Sequence, residues 1–263
     1  MSDADTVIAA LRTGHDELAG LVAGFSDDDL ARSSGAAEWD VSQVLSHLGS
    51  GAEIARAGLR AALDGTPRPG ADFNQSVWAR WDAMSRSARA DGFAEADAAL
   101  LAQYESLDAA TRENLRIDMG FLPAPVDVAT AARLRLSEFA LHSWDVRVAR
   151  DEKATLAPDA TAALLHKGPD MLAWFGKPDA LGGRQFVIRV TTTEPESAFA
   201  LRLQAPVSVD FEVPERPDGT LTLPAEAWLR LVAGRLGPRY TPAAVVADGA
   251  VDLGLLRRVF PGY

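Results

Sequence analysis

Apolar residues recur every three or four positions through the first 150 residues of the chain. Clear stripes of this kind run over residues 5–24, 41–64 and 126–150. This spacing places apolar side chains on one face of a helix, so each stripe predicts an amphipathic helix. Residues 73–89 and 93–108 follow the same pattern and predict one broken helix or two helices in series. Four long helices in one region predict an antiparallel four-helix bundle.

The pattern changes after Asp151, where alternating apolar and polar residues become frequent. The predicted strands are residues 186–193, 199–203, 207–213 and 219–223. Several of them are rich in β-branched residues, which strands favour. The predicted helices of this part are residues 158–175, 224–236 and 252–259. We therefore predict a two-domain α+β chain, with the helical bundle in residues 1–152 and a small α+β domain in residues 153–263.

Length and composition are those of a globular protein. The chain has 263 residues, of which 48% are hydrophobic and 24% charged, so each predicted domain is large enough to bury a core. No stretch reaches the roughly 18 to 20 uninterrupted apolar residues of a membrane-spanning helix. The first five residues contain two aspartates, where a secretory signal would carry Lys or Arg. We expect a cytoplasmic protein that does not enter a membrane.

The net charge and the absence of cysteine limit the partners and the ligands that the chain can use. The net charge of −11 opposes a nucleic-acid partner, because such a partner normally requires a basic face. The chain has no cysteine, which rules out disulfide bonds and thiolate ligands from the protein. Any sulfur chemistry would therefore require a small-molecule thiol. We find no nucleophile elbow, phosphate loop or dinucleotide fingerprint.

Two ionisable residues on the last helix of the predicted bundle are spaced for metal binding. Glu138 and His142 are four residues apart, so they project from one helical face about one turn, or roughly 6 Å, apart. His47 lies on the second predicted helix and is a candidate third ligand. A His/Glu/His set leaves a coordination position free for water or a thiol, as catalytic zinc sites do. The spacing is equally compatible with a helix-stabilising contact between Glu138 and His142.

Asp145 follows His142 by three residues and has two interpretations. It either accepts a hydrogen bond from the imidazole nitrogen that faces away from the metal, which would fix the tautomer of His142, or pairs with Arg133 or Arg147.

The remaining histidines and the polar residues before the second helix have ordinary interpretations. His15 and His166 are interpreted as surface residues or as hydrogen-bonded core residues. Asp40 and Ser42 are interpreted as helix-capping residues rather than catalytic ones.

Three segments resemble parts of a known family. Residues 38–48 resemble the first signature of the mycothiol-dependent maleylpyruvate isomerases in the DinB-like superfamily, a Trp before a hydrophobic helix that contains a His-Leu pair. Residues 135–145 resemble the second signature, a Glu and a His followed by Trp-Asp. Residues 228–236 resemble a helix of the family's C-terminal α+β domain, which is similar to sterol-carrier folds.

The resemblance implies a metal site and a thiol cofactor. In this family His47, Glu138 and His142 would bind a divalent metal, usually zinc, and the free position would receive the sulfur of mycothiol. Coordination deprotonates a thiol, which would supply the nucleophile that a chain without cysteine lacks. The resemblance also implies that Arg235 binds a substrate carboxylate with its planar guanidinium. The alternative for Arg235 is a charge that stabilises a helix C-terminus.

The implied reaction is cis–trans isomerisation of a maleylpyruvate-type substrate, or transfer of the thiol sulfur to another electrophile. The expected partners are therefore a small-molecule thiol and a small electrophilic substrate. Two other functions stay open at this point, since a fold and a ligand set do not determine a reaction: a metal-dependent hydrolase that uses bound water, and a non-catalytic metal-containing binding module. The metal, the substrate and the oligomeric state are not determined by the sequence.

Overall fold

The structure is a computed structural model that describes residues 2–165 and 172–262. It divides into two compact units, Met1–Asp151 and Glu152–Tyr263. The first unit is mainly helical, and the second contains a five-stranded sheet. The predicted combination of helices and a sheet is confirmed. Within the described residues, no helix is long and apolar enough to cross a membrane.

The first unit contains seven helices among its described residues. They are α1 (Asp3–Val22), α2 (Asp27–Leu30), α3 (Val41–Asp64), α4 (Ala71–Asp82), α5 (Arg86–Glu105), α6 (Ala109–Asn114) and α7 (Val128–Arg147). Two short antiparallel strands, β1 (Arg116–Ile117) and β2 (Val126–Asp127), lie between α6 and α7. Helix α1 packs against α5 and α7, and α3 packs against the same two helices. The functional residues considered below lie mainly on α3 and α7.

Local sequence signals set the ends of these helices. Asp40 caps the N-terminus of α3 in a reciprocal capping box with Gln43, as the sequence predicted for Asp40. Gly65 ends the same helix in the left-handed conformation, with φ of 64°, which glycine adopts without steric cost. The predicted helical region 73–89 is broken before Ser85, whose side chain caps α5. The alternative of two helices in series is therefore the correct one.

Helix α7 is the most buried of the long helices. Fourteen of its 20 residues are buried, including charged ones such as Arg133, Arg135 and Asp145. A helix that is enclosed on most sides must pair its buried charges with partners inside the protein. The buried ionisable residues of α7 therefore depend on contacts with other groups of the protein.

The second unit is built around a sheet in the order β5-β4-β3-β6-β7. The strands are β3 (Phe186–Thr193), β4 (Ser197–Leu203), β5 (Ser208–Asp210), β6 (Gly219–Pro224) and β7 (Val246–Gly249). Only the pairing of β3 with β6 is parallel. The helices are α8 (Pro158–Leu164), α9 (Leu172–Phe175), α10 (Ala225–Val232) and α11 (Leu253–Val259), and short 3-10 helices cover Pro178–Leu181 and Pro238–Tyr240. Buried strand residues pack with Trp228, Leu256 and Phe260 in a core of this unit's own.

Several predicted boundaries in the second unit differ from the structure. Residues 166–171 of the predicted helix 158–175 lie outside the described residues, and the described parts form the separate helices α8 and α9. The predicted helix 224–236 ends at Val232. Gly234 follows with φ of 73°, and a Cβ there would lie 2.3 Å from the Cα of Gly262, so the chain must turn at a glycine. Strand β7 was not predicted.

Candidate metal centre

Helices α3 and α7 bring the three predicted ligands together. His47 lies on α3, and Glu138 and His142 lie on α7. One donor atom from each of the three side chains lies within 4.8 Å of the other two. Glu138 Oε2 lies 3.2 Å from His47 Nε2 and 3.7 Å from His142 Nε2. Both imidazoles therefore direct a nitrogen towards the same carboxylate oxygen.

The second nitrogen of His142 has a partner of its own. His142 Nδ1 lies 2.8 Å from Asp145 Oδ2, and because an ionised carboxylate only accepts, Nδ1–H is the donor. Asp145 is fully buried, at 0% exposure. This hydrogen bond fixes the tautomer that leaves Nε2 of His142 with a lone pair for a metal. Of the two interpretations of Asp145, the structure shows the contact with His142, whereas Arg147 bonds Glu17 and Arg133 bonds Asp3.

The loop before α3 lies directly on Asp145 and depends on a glycine. The amide of Gly35 donates to the carbonyl oxygen of Asp145 at 2.8 Å. A Cβ at Gly35 would lie 2.7 Å from Asp145 Oδ1, 2.8 Å from a ring carbon of Trp144 and 2.9 Å from Val148 Cγ1. Any side chain there would displace the loop or Asp145, because these distances are shorter than van der Waals contact.

Trp39 ends this loop and covers the two histidines. Its ring centroid lies 5.2 Å from that of His47 and 5.9 Å from that of His142, in a stacked arrangement with the latter. The two imidazoles themselves are 4.6 Å apart between centroids. The indole, which is 36% exposed, limits how far either imidazole can rotate.

The carboxyl of Glu138 is held in its ionised form. Desolvation by burial acts to raise its pKa, but the hydrogen bond with His47 and the charges of His142, His47 and Arg135 outweigh that effect and lower the pKa to about 2. A carboxylate and two imidazoles are the donor types that zinc prefers when no thiolate is present.

The spacing of these donors fits one divalent cation. Zinc binds His nitrogen and carboxylate oxygen at about 2.0–2.2 Å in tetrahedral geometry, which separates neighbouring donors by roughly 3.4 Å. The observed separations from Glu138 to the two imidazoles, 3.2 and 3.7 Å, bracket that value. Three protein donors leave the fourth tetrahedral position for a small molecule.

A buried ionic network lies below the cluster and was not predicted from the sequence. Arg135 on α7 donates through Nη2 to Asp97 Oδ1 at 2.6 Å and to the carbonyl oxygen of Leu48 at 2.8 Å. Asp97 on α5 also contacts His15 Nδ1 on α1 at 2.9 Å. The network therefore joins all four long helices, and one of its bonds ends on the residue after His47. His15 is a hydrogen-bonded core residue, as one of its two interpretations proposed.

A pocket opens beside His47 on the side of α4. Its volume is about 190 Å³. The residues that line it are Trp39, Gln43, Ser46, His47, Ser50, Trp78, Trp81, Asp82 and Arg89. No local sequence pattern could place Trp78 and Trp81 near the cluster, because their position depends on how α4 packs against α3.

Other predicted residues lie elsewhere. Arg235 lies in the second unit, just after α10, where Nη1 donates to the carbonyl oxygen of Ala233 at 3.1 Å. His166 lies outside the described residues. The structure therefore places the three predicted ligands and Asp145 in one cluster of the first unit, and Arg235 belongs to the second unit.

Comparison with known proteins gives one family and one fold. The family model described as the mycothiol maleylpyruvate isomerase N-terminal domain matches residues 11–147, a segment that contains His47, Glu138, His142 and Asp145. No curated protein matches the sequence.

Two solved structures are similar over nearly the whole chain. One is a mycothiol-dependent maleylpyruvate isomerase, with 14% identity and a TM-score of 0.65, and 95% of each chain is covered. The other is a histidine-to-alanine mutant of a mycothiol-dependent maleylpyruvate isomerase, with 13% identity, the same TM-score and the same coverage. At these identities the likeness concerns the fold alone.

Proposed function

Because the chain belongs to the mycothiol maleylpyruvate isomerase N-terminal domain family, we propose that it is a metal-dependent enzyme that uses mycothiol to isomerise a cis double bond of the maleylpyruvate type. The observation that carries the proposal is the His47, Glu138 and His142 cluster, whose donors lie within 4.8 Å of one another. In the same proposal, the first unit is a DinB-like four-helix bundle and the second a sterol-carrier-like domain.

The chain's own residues would prepare the site in three ways. His47, Glu138 and His142 would hold the metal, for which zinc is the proposed identity because of the nitrogen and oxygen donors and their spacing. Asp145 would keep His142 in the tautomer that presents Nε2. Trp39 would fix the planes of both imidazoles, so that no donor has to be reoriented on binding.

The absence of cysteine from the chain agrees with the use of an external thiol. A divalent metal at this site would hold such a thiol as the thiolate, which would supply the nucleophile for reversible addition to the substrate double bond. Arg235 is the proposed partner of a substrate carboxylate, because a guanidinium binds carboxylates in a bidentate manner.

The test is turnover with and without thiol. The purified full-length chain, loaded with zinc, is expected to contain about one metal per chain by elemental analysis and to convert maleylpyruvate to the trans product only when mycothiol is present. His142→Ala is expected to lose both the metal and the activity. The Glu17→Gln variant, which removes the charge of an exposed side chain on α1, is the matched control and is expected to keep both.

Other outcomes separate the alternatives. Full activity on an ester or amide without thiol would show a hydrolase that uses bound water. Consumption of thiol with formation of a stable thioether would show S-transfer. Full metal content in His142→Ala would contradict the ligand assignment itself.

A further inference from the structure

Arg135 is a buried residue that connects the metal cluster to the other helices of the first unit. It is 8% exposed, and its Nη2 donates at 2.8 Å to the carbonyl oxygen of Leu48, the residue after His47. We propose that Arg135 is a positioning residue, which holds α3 against α7 beside the metal cluster and thereby sets the separation between His47 and Glu138 before a metal binds. The inference rests on the proposed function, because it concerns the geometry of the same metal site.

Arg135 contacts α3 at two points within the turn that follows His47. The first is the carbonyl oxygen of Leu48, which accepts the hydrogen bond from Nη2. The second is Gly51, where a Cβ would lie 3.2 Å from Arg135 Nη1. The guanidinium therefore lies close against the backbone of α3, in a space that a larger residue than glycine would narrow. These contacts join two helices, and no hydrogen bond within α3 could replace them.

The same arginine is close to Glu138 along α7. Arg135 and Glu138 are three residues apart, so they are neighbours on the surface of the helix. A movement of α3 relative to Arg135 would change the distance from His47 Nε2 to Glu138 Oε2, which is 3.2 Å. Metal sites hold their ligand distances within about 0.2 Å. A small displacement of α3 would therefore be enough to weaken the site.

Asp97 fixes the direction in which the Arg135 side chain points. Its Oδ1 accepts from Nη2 of Arg135 at 2.6 Å, and its Oδ2 lies 2.9 Å from His15 Nδ1. Asp97 is on α5 and His15 is on α1, and both residues are buried. A long side chain with a single acceptor keeps rotational freedom, whereas acceptors on two different helices define its place. The support beside His47 is therefore fixed from α5 as well as from α7.

Stability alone does not explain a buried arginine at this position. A buried ion pair contributes little net stability, and apolar side chains of similar volume often replace it without loss. Arg135 Nε is also buried and has no hydrogen-bond partner among the described residues, which is unfavourable. The hydrogen bond to α3 is the feature of Arg135 that an apolar side chain could not reproduce.

The charge of Arg135 and its positioning effect would change metal affinity in opposite directions. A positive charge one helical turn from a ligand repels a divalent cation, so loss of that charge alone would raise the affinity. Loss of the support would lower the affinity, because the donors would no longer be held at the separation that zinc requires. The sign of the change therefore distinguishes the two effects.

The test measures zinc affinity by competition with a chromophoric chelator in full-length variants. Arg135→Met is expected to bind zinc about ten-fold or more weakly than wild type, the usual effect of removing a group that orients a ligand. Arg135→Met combined with Asp97→Ala, which leaves no uncompensated charge, is expected to show the same loss in a more stable protein. Arg135→Lys keeps a charge and a donor, and it is expected to recover part of the affinity.

Leu59→Ala is the control for a general loss of stability. Leu59 is fully buried on α3, about 18 Å along the helix from His47, so its truncation lowers stability through a cavity away from the cluster. Its zinc affinity is expected to match that of wild type. An equal loss of affinity in Leu59→Ala and in the double variant would show a purely structural role and would overturn the inference.

Cobalt(II) in place of zinc provides a spectroscopic measurement of the ligand geometry, because tetrahedral cobalt absorbs visible light far more strongly than octahedral cobalt. We expect wild type and Leu59→Ala to give the intense tetrahedral spectrum and the double variant to give a weaker one. A double variant with the wild-type spectrum and equal or higher zinc affinity would overturn the inference. Weaker zinc binding in the variants of a protein that does not isomerise maleylpyruvate would support the role of Arg135 and contradict only the proposed reaction.

Discussion

At the residue scale, Asp145 is a buried carboxylate that affects the zinc affinity of the proposed site without being a ligand, because it accepts a hydrogen bond from His142. We predict that Asp145→Asn lowers zinc affinity about 10- to 100-fold, the usual effect of removing such a partner of a ligand histidine. The amide can still accept from His142 Nδ1, but it lacks the negative charge that makes the imidazole more basic. Competition with a chromophoric chelator measures the affinity.

The matched control for Asp145→Asn is Glu17→Gln, which removes the same charge from an exposed residue that pairs with Arg147. Its zinc affinity is expected to stay within about two-fold of wild type, because exposed ion pairs contribute little. A decrease of similar size in both variants would show a general charge effect and would remove the special role of Asp145.

Gly35 is the second residue whose identity matters to the cluster. We predict that Gly35→Ala lowers the free energy of unfolding by about 1–3 kcal/mol and also weakens zinc binding, because the new Cβ would lie 2.7 Å from Asp145 Oδ1. Denaturant unfolding measures the stability. Gly20→Ala in α1 is the control, since a Cβ there meets nothing within 4 Å, and it is expected to be neutral or stabilising. Unchanged zinc binding in Gly35→Ala would show that the loop yields without moving Asp145.

At the scale of helices, the buried network of Arg135, Asp97 and His15 holds α1, α5 and α7 together and reaches α3 through Leu48. We predict that Asp97→Ala lowers the free energy of unfolding by about 3–5 kcal/mol, because it leaves the buried Arg135 without its counter-charge. Arg135→Met combined with Asp97→Ala is expected to recover part of the loss, since no uncompensated charge then remains. A double variant no more stable than Asp97→Ala would contradict this account.

The same network predicts a pH dependence. Burial acts to raise the pKa of Asp97, but the charge of Arg135 and the hydrogen bonds from His15 and Arg135 outweigh burial and lower the pKa below its ordinary value. A carboxyl with a lowered pKa stabilises the folded state above its unfolded pKa of about 3.9, and this contribution disappears as the pH falls through the folded value. The stability difference between wild type and Asp97→Asn is therefore expected to shrink as the pH falls below about 4. A difference that grows on acidification would have the wrong sign.

The long helices were predictable from the sequence because periodicity and caps are local signals. Asp40 and the Gly65 region set the ends of α3, and the spacing of Glu138 and His142 follows from α7 alone. Strand β7 was missed because four residues carry too little pattern. The contacts of Arg135 with Asp97 and Leu48 and the placement of Trp78 beside His47 were also missed, because they depend on packing between helices that no local pattern encodes.

At the scale of the whole molecule, the two units carry different parts of the proposed chemistry. The three proposed ligands and Asp145 lie in the first unit, whereas Arg235 lies in the second. The similar solved structures are only 13% and 14% identical, yet they have a TM-score of 0.65 over 95% of the chain. Such a fold can persist while most residues change, because volume and patterning of the core constrain it more than residue identity does. The ligand residues are constrained differently, since a metal needs particular donor atoms.

Because all three proposed metal ligands lie in the first unit, removal of the metal is expected to affect the unfolding of that unit only. The second unit has a hydrophobic core of its own and contains none of the proposed ligands, so a metal that binds only the folded first unit should stabilise that unit alone. At free zinc about 100-fold above Kd the stabilisation is about 2.7 kcal/mol, which corresponds to roughly 5–10 °C for a domain of this size. Calorimetry of the full-length chain is therefore expected to show two transitions, of which a chelator lowers one by that amount. In His142→Ala the chelator should shift neither transition. A single transition that the chelator lowers as a whole would instead mean that the two units unfold as one cooperative body, and it would extend the effect of the metal beyond the helices that hold its ligands.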